Sequence, residues 1–161
     1  HRDAFLLVLE DDFVWRSGGS NSNTERLIST LLSLENNDPN WGVLLLSCNS
    51  NNEIIPSDRG YVTLNEADRL CQTASGYVIN ANYIEKLHKL WSDNLNTRMD
   101  INFKEQVYDK LAIDQLWKTI QHDGKWYVAS PLMGKQQAGF SDIEKQNVNY
   151  ESLEKYCSLH T

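Results

Sequence analysis

The chain has 161 residues, of which 40% are hydrophobic and 23% charged, and its formal net charge is −7. This length is typical of one globular domain, and the acidic balance argues against sequence-independent nucleic-acid binding, which needs a basic surface. The sequence contains no apolar run of the roughly 20 residues that a membrane-spanning helix needs.

Strands and helices are predicted to alternate along the chain. Residues 4–9 form a continuous apolar run, which is typical of a strand buried on both faces of a sheet. Further strands are predicted at 43–46, 61–64, 73–79 and 126–129, and helices at 23–36, around 84–91 and at 113–120. Residues 17–23 and 94–104 are predicted as a loop and a polar linker, and the chain turns polar after Met133. The alternation predicts an α/β domain with a largely parallel sheet.

The three cysteines, Cys48, Cys71 and Cys157, are odd in number and widely spaced. No zinc-binding spacing is present. We therefore expect free thiols, which favour a reducing, cytoplasmic compartment. Trp41, Trp91, Trp117 and Trp126 fall within or beside predicted elements, so we expect them in the core.

Glu10, Asp11 and Asp12 directly follow the first predicted strand. Ligands of open α/β sheets bind at the carboxyl ends of strands. Adjacent carboxylates raise each other's pKa unless a cation lies between them, and Mg²⁺ and Mn²⁺ bind one or two carboxylates together with substrate phosphates. The tripeptide is compatible both with a metal–diphosphate site and with a solvated acidic turn or a helix N-cap.

Two later stretches also leave two interpretations open. Lys135 lies in a polar segment, residues 130–144, where it could meet a diphosphate as a point charge or belong to an ordinary surface loop. Asp114 lies beside apolar helix residues, either as a helix N-cap or as a positioned base.

A phosphoacceptor receiver domain is disfavoured because the strand at 43–46 is followed by Ser47, Cys48 and Asn49 and not by an aspartate.

Four blocks in chain order resemble glycosyltransferase family 25, the lipopolysaccharide and collagen β-galactosyltransferase-like family. They are FLLVLEDDFVW (5–15), TASGYVINANYIEKL (73–87), AIDQLWKT (112–119) and WYVASPLMGKQQAGFSDIE (126–144). The last block is similar to versions from large DNA viruses and algae, which implies a location in host cytoplasm or a virion. The resemblance implies a GT-A-like fold: a Rossmann-type α/β/α sandwich with a mixed, mostly parallel sheet.

The resemblance also implies site residues. Asp12 matches the DxD-like position of the most direct Mn²⁺ (or Mg²⁺) ligand, with Asp11 beside it. Glu10 or Asp11 would contact the ribose or metal-bound water. Ser75 and Gly76 would line the donor or acceptor pocket.

Asp114 matches the aspartate of the family's Pro-Val-Asp block, with Ala112 in place of the proline. We expect it to act as general base or to bind the acceptor, with Asp142 as the other candidate base. Gln136, Ser141 and Asp142 match the loop expected near the diphosphate, where Lys135 would also act.

Family members open with a βαβ unit that helps to hold the nucleotide base, and this chain lacks a matching segment. We therefore expect residues 1–161 to be one domain, the carboxyl-terminal portion of a GT-A domain, with residues 134–161 as a flexible loop and short helix. The predicted function is inverting, metal-dependent transfer of a hexose from a UDP-sugar to a glycan or other hydroxyl acceptor, as in lipopolysaccharide biosynthesis. The alternative is a non-catalytic or degenerate transferase-like binding module.

Overall fold

The computed structural model describes residues 4–16, 19–49, 57–64, 71–100, 112–141 and 146–149. These residues form nine strands and three α-helices. In chain order they are β1 (Phe5–Leu9), β2 (Phe13–Trp15), α1 (Gly19–Asn37), β3 (Val43–Leu45), β4 (Tyr61–Thr63), β5 (Gly76–Asn80), α2 (Ile84–Asp100), α3 (Ile113–Leu116), β6 (Trp126–Ala129), β7 (Gly134–Gln136), β8 (Gly139–Ser141) and β9 (Gln146–Val148).

The main sheet has the strand order β1-β5-β3-β6-β4. Only β3 and β6 pair in parallel, and the other three pairs of neighbours are antiparallel. The prediction of a mixed sheet is therefore confirmed for the described residues, but the prediction that it is mostly parallel is wrong. An apolar run indicates that a strand is buried on both faces, and it carries no information about the strand's direction.

Helices cover both faces of the sheet. Alternate side chains of each strand point to opposite faces, so Leu44 and Leu46 pack with Leu34 of α1 on one face. On the other face, Val43 and Leu45 pack with Leu87 of α2. Because both faces are covered, β3 is apolar at every position. Trp41, Trp117 and Trp126 are fully buried, as predicted.

Strand β1 differs from the prediction, because it lies at the edge of the sheet. The sequence predicts burial on both faces, but Phe5, Leu6, Leu7 and Leu9 are each 39–49% exposed. The prediction of burial is therefore wrong within the described residues. An apolar run shows that a strand can be buried, but it does not show which elements of the fold pack against the strand.

Cys48 and Cys71 are joined by a disulfide, so the prediction of free thiols is wrong for both. Their side chains are buried in the core on the α2 side of the sheet. The wide spacing in sequence did not indicate a disulfide. The two cysteines are 23 residues apart, but the segments that carry them pair at Asn49 and Gln72. Since disulfides persist in oxidising compartments, the argument for a reducing compartment loses its basis. Cys157 lies outside the described residues.

Several predicted boundaries also shift. Helix α1 begins at Gly19, inside the predicted loop, and α2 continues to Asp100 through the start of the predicted linker. Strands β7, β8 and β9 lie where the sequence predicts a flexible polar loop. The short helix predicted at 150–156 lies outside the described residues. Among the helices described, none is long and apolar enough to span a membrane.

Candidate functional site

Four segments of the chain converge at one end of the strands of the main sheet. Since β3 and β6 are parallel and β5 is antiparallel to β1 and β3, the carboxyl ends of β1, β3 and β6 lie beside the amino end of β5. The backbone N–H of Glu10 donates to the Ser75 carbonyl at 2.8 Å, and that of Gly134 donates to the Leu46 carbonyl at 3.0 Å. The topology therefore brings the acidic tripeptide next to residues far away in sequence.

A small second sheet fixes the direction of the chain after the tripeptide. Strands β2 and β7 pair antiparallel, and Phe13 lies opposite Gln136. The Phe13 ring packs against two glycines. A Cβ atom at Gly76 would lie 2.3 Å from the ring, and one at Gly134 would lie 2.1 Å from it. Only glycine leaves room for the ring at these positions, so a larger residue at either one would displace Phe13, which directly follows Asp12.

A chain of hydrogen bonds joins Asp12 to Asp114. Gln136 Nε2 donates to Asp12 Oδ2 at 2.7 Å, and Gln136 Oε1 accepts from Thr73 Oγ1 at 3.1 Å. The Thr73 backbone N–H donates to Asp114 Oδ2 at 3.3 Å. The Gln136 amide thus uses both its donor and its acceptor end, which orients it, and all four blocks described in the sequence contribute a residue to this chain.

Thr73 has a backbone φ of 86°, the one positive φ of a non-glycine residue among those described. This conformation is unfavourable for a β-branched residue and persists only where the surroundings enforce it. The disulfide at Cys71 holds the segment. Gln121, which is fully buried, also bonds Cys71, accepting from its N–H at 3.0 Å and donating to its carbonyl at 2.9 Å. Strained backbone of this kind concentrates at functional sites.

The site carries excess negative charge. The pKa of Glu10 is raised, first by burial and then by the charges of Asp12, Asp114 and Asp11. The Glu10 charge in turn adds to the effect of burial in raising the pKa of Tyr77. Glu10 and these three aspartates therefore share one electrostatic environment.

One oxygen of the site lacks a partner. Asp12 Oδ1 is buried and has no hydrogen bond among the described residues. A buried carboxylate oxygen without a donor is costly, and a cation would compensate both this atom and the repulsion at Glu10. The described residues contain no group of three or more metal-ligating side chains. Mg²⁺, however, is commonly held by one or two carboxylates together with substrate phosphates and water, and Asp12 with a neighbouring carboxylate fits that mode.

Lys118, which was not among the predicted site residues, lies close to Asp114. Burial lowers the pKa of Lys118, and the charge of Asp114 partly offsets the effect. Its ammonium donates to Gln115 Oε1 at 2.7 Å and to Gln72 Oε1 at 3.0 Å. The spacing of Asp114 and Lys118 on a predicted helix could have indicated this proximity, whereas nothing in the sequence signals the backbone of Thr73.

Asp114 is not a helix cap. The N-cap of α3 is Ala112, and it makes no side-chain capping bond. Asp114 lies within the helix and accepts hydrogen bonds from Thr73 N–H and Gln115 Nε2. The N-cap interpretation is therefore wrong, and the alternative, a positioned carboxylate, is compatible with the contacts.

The remaining predicted residues are placed as follows. Ser75 is fully buried and shares a 2.7 Å hydrogen bond with Ser47, while Gly76 faces Phe13. Lys135 lies between Gly134 and Gln136 in β7, and its side chain points to the face of the strand opposite Gln136. Asp11 is exposed in the turn after β1. The ligand contacts expected of these residues stay predictions. Ser141 ends β8, and Asp142 lies outside the described residues.

Comparison of the chain with protein-family models, with curated proteins and with solved structures found no match.

Proposed function

We propose that this chain is a metal-dependent glycosyltransferase domain with a GT-A-like fold, which transfers a hexose from a UDP-sugar to a hydroxyl acceptor with inversion. The observation that carries the proposal is the buried Oδ1 of Asp12, which has no hydrogen-bond partner among the described residues. The Asp12 carboxylate is linked through Gln136 and Thr73 to Asp114. The pKa of Glu10 is raised first by burial and then by the charges of Asp12, Asp114 and Asp11. A site for a divalent cation and a diphosphate accounts for carboxylates held together in this way.

Asp12 would hold Mn²⁺ or Mg²⁺, with Asp11 or Glu10 beside it. When bound, such a cation neutralises charge that develops on a leaving diphosphate. The bond from Gln136 to Asp12 Oδ2 leaves Oδ1 available and fixes the carboxylate plane. Gln136 is therefore a positioning residue, and its own contact with the diphosphate is not required for this role.

Asp114 is the proposed general base, which accepts the proton of the acceptor hydroxyl as that oxygen attacks the anomeric carbon. Its carboxylate is oriented by Thr73 N–H and Gln115. Lys118, whose ammonium donates to Gln115 and Gln72, is a second candidate cation for the departing diphosphate beside Lys135. Asp142 stays the second candidate base.

The disulfide bears on where the protein works. Because Cys48 and Cys71 are bonded, we propose an oxidising compartment for folding instead of the host cytoplasm.

The test is Mn²⁺-dependent release of UDP from a panel of UDP-sugars. Asp12→Asn should abolish metal-dependent release. Asp114→Asn should lower turnover by roughly 10²- to 10⁴-fold, the usual range for a general base, while UDP affinity stays unchanged. The matched control is Asp93→Asn, the same chemical change at an exposed residue of α2 that pairs with Lys89, which should keep full activity.

Wild-type release in the Asp12→Asn variant would refute the metal assignment. The binding-module alternative makes a different prediction for the unaltered chain. No UDP would be released from any UDP-sugar in the panel, even with acceptor mixtures present.

A further inference from the structure

A cavity lined by two arginines lies away from the carboxylates. It has a volume of about 280 Å³ and lies between α1, the turn at residues 57–60 and the end of β6. This is the α1 face of the sheet, near β4, whereas Glu10 follows β1 at the opposite end of the strand order. The cavity is therefore a separate site and does not depend on the proposed transferase activity.

The cavity walls are polar and carry net positive charge. Arg26 and Arg59 line it together with a single carboxylate, Asp58, and with hydroxyl side chains that include Ser33 and Ser57. The chain as a whole has a formal charge of −7. The lining of this cavity has the opposite sign of charge, because it contains two guanidinium groups and one carboxylate. Hydroxyl and guanidinium donors together suit an oxyanion.

Arg26 lacks an anionic partner among the described residues. Its guanidinium is half-buried, and its hydrogen bonds go to the backbone carbonyls of Pro131 and Leu132. These bonds hold the plane of the group but leave its charge uncompensated, and a guanidinium has five N–H donors. Burial of a charge without a counter-charge is costly, so an anion at this position would relieve that cost.

The other donors are also oriented. Arg59 lies over the ring of Tyr61, 5.4 Å from its centroid. Ser57 Oγ accepts from the Arg59 backbone N–H at 3.3 Å, which leaves its own O–H to donate to a ligand. The small volume, just under the usual range for ligand pockets, limits the occupant to a compact group.

We propose that this cavity binds the phosphate or carboxylate group of a small polar molecule through Arg26 and Arg59. The hydroxyls of Ser33 and Ser57 complete the set of donors. The guanidinium planes favour an oxyanion over a neutral sugar hydroxyl because they can form paired, charge-assisted hydrogen bonds.

The test is calorimetric titration of the full chain with inorganic phosphate and, separately, with acetate at constant ionic strength. The unaltered chain should bind at least one of them saturably. Arg59→Gln, a change at an exposed turn, and Arg26→Gln should each weaken binding by about tenfold, as expected for the loss of a charge-assisted hydrogen bond. Tighter binding of phosphate would assign a phosphate group, and tighter binding of acetate would assign a carboxylate.

Two controls separate this site from general charge effects and from the carboxylate site. Lys89→Gln removes one positive charge from the exposed surface of α2 and should leave affinity within about twofold. Asp12→Asn should also leave it unchanged. Absence of saturable binding to both anions would overturn the proposal, and so would equal affinity in wild type and Arg59→Gln.

Discussion

Loss of the Cys48–Cys71 disulfide should lower the free energy of unfolding by about 3.4 kcal/mol. The two cysteines are 23 residues apart, and the chain-entropy relation for a loop of that length gives roughly 11 cal/mol/K, which is about 3.4 kcal/mol at 25 °C. The loss would be a large fraction of the roughly 5–15 kcal/mol that stabilises a typical domain.

The assay is urea unfolding of the oxidised chain, the same chain with a reductant, and the double variant Cys48→Ala/Cys71→Ala. The reduced wild type keeps both buried sulfur atoms, so its difference from the oxidised chain isolates the cross-link. The double variant should lose more, since it also removes atoms packed in the core. In a separate measurement, the thiols of the denatured chain are titrated without reductant. One reactive cysteine of the three should be found.

The reasoning fails if three thiols titrate without reductant. It also fails if reduction changes the free energy of unfolding by less than about 1 kcal/mol, because a loop of this length should cost several times that amount.

Three further predictions concern packing and charge. Gly134→Ala places a Cβ 2.1 Å from the Phe13 ring and should destabilise the chain by about 1–3 kcal/mol, the usual cost of overpacking, as measured by urea unfolding. Tyr83→Phe should cost about 1–3 kcal/mol in the same assay, because the hydroxyl accepts from buried Trp126 Nε1 at 3.0 Å. Glu10→Gln should raise the melting temperature at pH 7. The folded state raises the pKa of Glu10 above 4.5, so its charge opposes folding at neutral pH, and the advantage of the variant should disappear as the pH falls towards 4.5. A melting temperature for Glu10→Gln that is equal to or below wild type at pH 7 would contradict the electrostatic argument.

The positions of most elements could be predicted from the sequence, because buried strands such as β3 and β6 and the apolar stripe of α1 follow from local periodicity. The exposure of β1 could not be predicted, because an apolar run does not specify which elements pack against the strand. Strand direction in the main sheet was also beyond local pattern, and the pairing of β2 with β7 depends on contacts between residues more than 100 positions apart.

The candidate site was only partly predictable. Asp12, Asp114 and Gln136 are brought together as the ordered blocks suggested. Thr73 was missed because its role arises from a backbone conformation and an N–H group, which residue type does not reveal.

The central claim is that Asp12 and its neighbouring carboxylates hold a divalent cation together with a nucleotide diphosphate. The most direct measurement is a Mn²⁺ titration of the chain followed by electron paramagnetic resonance, in the presence and absence of UDP. We expect wild type to remove the signal of free Mn²⁺ far more strongly with UDP present, and Asp12→Asn to lose this effect while Asp93→Asn keeps it. Equal Mn²⁺ binding by wild type and Asp12→Asn in the presence of UDP would contradict the account.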